Sequence, residues 1–192
     1  MNGAVLALIV LVVLVVAGVA LLQVRRQRTE RLRQRFGPEY DRTVEVSKDQ
    51  SAAEKELRQR EQRREKIQVV PLEPAARERY LEAWHRTQAL FVDSPTEATR
   101  RADKLVAEVM RERGYPVEDF EQRAADLSVD YPRLVQDYRA ARAIAERNDR
   151  SEADTEELRQ ALVHYRSLFE ELLEAAEDTA DDSADHSVEE AR

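Results

Sequence analysis

The 192-residue sequence contains no cysteine. That excludes disulfides, thiolate nucleophiles and cysteine-ligated metals. Glycine is nearly absent, and Gly3, Gly18, Gly37 and Gly114 stand far apart. There is therefore no glycine-rich loop to cradle a phosphate and no Gly-x-Ser-x-Gly elbow. Ser94, Ser128 and Ser151 read as caps or turn residues instead. Proline occurs only between candidate helices, and no stretch alternates as a strand does. Lysine is scarce as well: Lys48, Lys55, Lys66 and Lys104 are the four among 31 basic residues, a bias that suggests a GC-rich bacterial genome.

What is present begins with Ala4 to Val24, apolar throughout except for Gln23. As a helix this stretch is about 31 Å long, against a hydrocarbon core of ~30 Å. The three residues before it carry no basic side chain, and the run is longer than a signal peptide's apolar region, so a retained transmembrane anchor is expected. The alternative is a leader cleaved near Gly18-Val19-Ala20, which would release a soluble secreted or periplasmic protein. Arg25, Arg26, Arg28, Arg31, Arg33 and Arg35 come within the next eleven residues, with Glu30 the one acid among them. This asymmetry predicts an inner-membrane protein with its N-terminus outside and its C-terminal domain in the cytoplasm. The same six arginines are candidate contacts for anionic lipid.

The expected organisation is a short flank (1–3), a transmembrane helix (4–24), a basic juxtamembrane segment and charged spacer (25–70), a helical bundle (71–177) and an acidic disordered tail (178–192). The helix leaving the membrane should end at Phe36-Gly37-Pro38. Residues 47–66, including EKELRQREQRREK, read as an exposed, partly helical spacer in which Leu57 stands almost alone. Beyond Pro71 and Pro74 the pattern changes. Tyr80, Leu81, Trp84 and Phe91 recur at helical spacing, and Ser94-Pro95-Thr96-Glu97 predicts a capping box opening the next helix. That helix carries Ala102, Leu105, Val106, Val109 and Met110 inward and should end at Gly114 in the left-handed conformation. A short helix near 118–125, another from about Tyr131 to 147, and a last one from Thr155 to Ala176 complete an all-α fold of four to five bundled helices.

Catalytic constellations are wanting. Glu82 and His85 make one Glu-x-x-His, whereas a di-iron site needs two such motifs and two more glutamates. The counterpart, His164, is preceded at the third position by Ala161, and His186 lies in the tail. No catalytic residue, metal ligand, cofactor or small-molecule substrate is expected. The net charge of −8 without a concentrated basic face argues against nucleic acid. The composite expectation is a membrane-anchored, non-enzymatic domain that docks another protein, with a metal-dependent enzyme the remotest alternative. MRERGYPVEDFEQRAADLSVDYPRLVQDYRAAR at residues 110–142, with RFGPEYDRTVE upstream and ELRQALVHYRSLFEELL downstream, resembles an uncharacterised family of bacterial single-pass membrane or secreted proteins. The resemblance implies an N-terminal hydrophobic segment and a helical soluble domain, and no activity.

Overall fold

Between Gly18 and Gly37 the chain has neither glycine nor proline, so the apolar run and the arginine-rich stretch share one helix, α1 (Gly3–Phe36). The computed structural model describes residues 3–189, with side chains for 11–174. Gly37 ends α1 at a φ of +50°, and Pro38 then opens α2 (Pro38–Ser47). This is where the sequence predicted the break. The described residues form eight helices: α3 (Gln50–Arg64), α4 (Pro74–Asp93), α5 (Pro95–Glu112), α6 (Phe120–Asp130), α7 (Leu134–Asp149) and α8 (Thr155–Glu189) complete the order. α8 runs past its expected end at Ala176 to Glu189, into the stretch expected to be a disordered tail (178–192), of which 190–192 lie outside the described residues.

The chain divides into two units, Met1–Leu57 and Arg58–Arg192. In the first, Leu32 and Phe36 are one helical turn apart on α1 and both are buried, as are Tyr40, Ala53 and Leu57. Glu54 ties the three helices of this unit together. Its Oε1 accepts from Thr29 Oγ1 on α1 at 2.8 Å, Tyr40 Oη on α2 at 3.1 Å and Gln50 Nε2 on α3 at 2.9 Å. Burial, reinforced by the Glu54 hydrogen bond, raises the Tyr40 pKa. α2 escaped the sequence reading because two of its three buried positions are Glu39 and Thr43.

The second unit is the helical bundle. α5 packs on α4 and α8, and α7 on α8 and α6. Trp84 on α4 stacks on Phe169 of α8, with ring centroids 4.8 Å apart. Phe120, Tyr138 and Tyr165 carry the aromatic core across α6, α7 and α8. The division between the units falls inside α3, well before Pro71, and there is a physical reason. Arg60 Nη1 donates to Ser128 Oγ at 3.4 Å, Arg63 lies 3.7 Å from Asp126, and Arg64 pairs with Asp130, all on α6. Ile67, Val69 and Leu72 then pack against the core. The stretch expected to be an exposed spacer thus buries Ala53, Leu57 and Arg60 on α3 and continues into the bundle.

Two terminations show where local rules held and where they gave way. Gly114 takes a φ of +90°, and Tyr115 N donates to Met110 O at 2.9 Å, the long bond of a Schellman ending. The capping box at Ser94 does not form: its side chain makes no cap bond. Glu97 instead leans toward Arg100 at 3.9 Å, while Thr96 Oγ1 bonds Asn148 Oδ1 at 2.9 Å and so joins α5 to the end of α7.

Candidate functional site

α1 carries the candidate site, and its two halves differ in chemistry. Among residues 11–24 every large aliphatic side chain is exposed, from 43% at Val24 to 65% at Leu21. Ten leucines and valines are involved: Leu11, Val12, Val13, Leu14, Val15, Val16, Val19, Leu21, Leu22 and Val24. Among the described residues no helix is long and apolar enough to cross a membrane. The described part of the run ends at Val24, with Arg25, Arg26 and Arg28 directly after it, and residues 4–10 of the expected span lie outside the described side chains.

All six predicted arginines are exposed and on the same helix. They do not share a face. At about 100° per residue, Arg28, Arg31 and Arg35 fall within a sector of roughly 60°. Arg26 and Arg33, seven residues apart, lie on the opposite flank of the buried Leu32–Phe36 face, and Glu30 is away from the three-arginine stripe. The Arg33 guanidinium sits 5.2 Å from the Tyr40 ring centroid, which draws it toward α2. Arg33 and Arg35 also lie in the last turn of α1, where positive charge offsets the helix dipole.

The remaining histidine candidates do not assemble a site. His85 is exposed, and its partner Glu82 pairs with Arg86 at 3.5 Å. His164 Nδ1 lies 3.2 Å from Asp137 Oδ1. His186 is outside the described side chains. Among the described residues no group of three or more His, Asp and Glu side chains is placed to hold a metal ion.

The structure does gather polar groups that sequence reasoning missed. Within the bundle, Asp103 of α5 and Arg142 of α7 are 3.2 Å apart, beside the buried Tyr138 and Tyr165 hydroxyls. Burial, with the Asp103 charge second, pushes both tyrosines well above the ordinary phenol range. A hydroxyl held this firmly protonated is a poor general base or nucleophile at neutral pH. A second cluster lies at the α6–α7 turn. Tyr115 Oη donates to Asp130 Oδ2 at 2.6 Å, and burial, reinforced by that bond, raises its pKa strongly. Arg113, 3% exposed, donates through Nη1 to Tyr131 Oη at 3.1 Å and to the Leu172 carbonyl at 3.0 Å. Both tyrosines precede prolines and fold back onto the bundle. A shallow groove of about 390 Å³ at this turn is lined by Asp130, Tyr131, Pro132, Arg133, Leu134 and Glu171. It mixes both signs of charge and converges on no reacting group.

No protein-family model matches this chain, nor does any curated protein or solved structure.

Proposed function

We propose that this chain is a single-pass, membrane-anchored and non-enzymatic domain that docks another protein at the cytoplasmic face of a bacterial inner membrane. The observation that carries the reading is the junction on α1. Ten exposed aliphatic side chains pass into six exposed arginines on one unbroken helix. In water those ten side chains have no cover. Transfer into hydrocarbon would contribute on the order of 10 kcal/mol or more, since each fully buried Val or Leu contributes about 1.5–3 kcal/mol. The arginines begin directly after Val24 and favour a cytoplasmic position for the domain beyond them. Two grooves of the bundle, one beside Glu97, Arg101, Lys104 and Glu108 and one at the α6–α7 turn, offer both signs of charge to a protein partner.

The test is protease added to intact spheroplasts producing the full-length chain tagged at its C-terminus. A protected C-terminus and an unshortened mass are expected. An accessible C-terminus would reverse the orientation. A mature chain beginning near Leu21 would replace the anchor with a cleaved leader. For the docking role, crosslinking in cells rich in the protein should return the same neighbour repeatedly, and failure to do so would count against it.

A further inference from the structure

We infer that the stripe formed by Arg28, Arg31 and Arg35 binds the phosphate groups of anionic phospholipids in the leaflet where the apolar run ends. This rests on the anchored reading above and adds to it a ligand and a graded set of contacts. Along the helix axis the three arginines lie about 6, 10 and 16 Å beyond Val24. The headgroup layer on each side of the hydrocarbon core is roughly 5–8 Å thick. Arg28 therefore sits inside that layer and Arg31 just past it. Arg35 is farther out, within about one to two Debye lengths of the surface at physiological salt. Long guanidinium side chains reach along the helix to the interface, and their planar fork matches phosphate oxygens bidentately.

The geometry separates this stripe from Arg33, whereas Arg25 and Arg26 stand at the boundary itself, about 1.5 and 3 Å beyond Val24. All three side chains are exposed and share one sector of α1. Arg33 on the far flank is drawn to the Tyr40 ring, and the face between the flanks is closed by the buried Leu32 and Phe36. Arg35 also has a partner within the chain, which further lowers its expected share. The inferred order of contribution is Arg28, then Arg31, then Arg35.

The experiment uses the full-length chain purified from mixed micelles holding equal amounts of phosphatidylglycerol and phosphatidylcholine, with retained lipid counted by mass spectrometry. Phosphatidylglycerol should be enriched among retained lipids. Replacing Arg28→Gln should lower that enrichment about five-fold, Arg31→Gln less and Arg35→Gln least. The triple variant R28Q/R31Q/R35Q should lose most of the enrichment, R28K/R31K/R35K should retain most of the preference, and R33Q should behave as the parent chain. Added inorganic phosphate should not displace the lipid. No enrichment in the parent chain, an unaffected triple variant, an equal loss in R33Q, or displacement by free phosphate would each overturn the inference. Flotation of the same chain with purely zwitterionic vesicles separates the two readings. Flotation without enrichment sinks this inference alone, whereas enrichment without flotation sinks the anchor and leaves a peripheral lipid site.

Discussion

Arg142 Nη1 on α7 lies 3.2 Å from Asp103 Oδ2 on α5, while its Nε donates to Glu146 at 2.9 Å. Asp103 is the more enclosed partner, at 16% side-chain exposure against 33%. Removing it with Asp103→Ala leaves Arg142 with the half-exposed Glu146 as its carboxylate partner, beside two buried tyrosine hydroxyls. The bundle should lose about 2 kcal/mol, in the range for a charged hydrogen bond. Urea unfolding followed through Trp84, the only tryptophan and 3% exposed, reads this directly. A loss under about 0.5 kcal/mol, the level of an exposed surface pair, would show that the pair is fully screened by solvent.

Arg113 should behave in the opposite way. It is as buried as a core residue, yet its hydrogen-bond acceptors among the described residues are a tyrosine hydroxyl and a backbone carbonyl. Its desolvation is thus offset by no carboxylate. Arg113→Met, of similar reach, should change stability by less than about 1 kcal/mol, or increase it. A loss of several kcal/mol in the same unfolding assay would mean that the two neutral acceptors stabilise the charge more than expected.

Gly114 is fixed by both torsion and space. Its φ is +90°, and a Cβ added there would collide with the Gln68 carbonyl oxygen. Gly114→Ala should cost about 2 kcal/mol or more, since strain and a backbone displacement act together. The loss should show as a lower midpoint for the whole bundle. The Gln68 segment is also held by Val70 N donating to Arg113 O at 3.0 Å.

Tyr80 supplies a pH dependence. Burial, followed by its 2.5 Å hydrogen bond to Glu112, raises its pKa to about 12. The unfolded phenol ionises near 10. Because the folded pKa is the higher one, the stabilisation is complete below pH 10 and is lost as pH rises from 10 to 12. Tyr80→Phe should make the alkaline decline shallower in that window. Tyr115, Tyr138 and Tyr165, also raised, should keep the decline from vanishing.

Much of this fold was readable because its signals are local. The break at Gly37-Pro38, the left-handed Gly114 and the inward stripe of α5 each depend on a few adjacent residues. α2 and the buried face of α3 were hidden because Glu39, Thr43 and Arg60 occupy buried positions that an apolar pattern leaves blank. Asp103 and Arg142 were invisible for another reason: thirty-nine residues apart, they meet only once α5 and α7 pack. The arginine stripe on α1 was legible as composition, and its division into two flanks emerged only when Leu32 and Phe36 proved buried and Arg33 turned to Tyr40. At Ser94 a strong local motif goes unused: its side chain makes no cap bond, and Glu97 lies beside Arg100 instead.

The unbroken course of α1 to Phe36 makes it a lever. With the apolar half held in a bilayer, the twelve residues beyond Val24 extend about 18 Å from the boundary without a hinge before Gly37. A tilt of about 20°, an ordinary value for a spanning helix, would swing its far end by about 6 Å. Bilayer thickness would thus set where Gly37 stands, and membrane mechanics would reach α2 through a rigid arm.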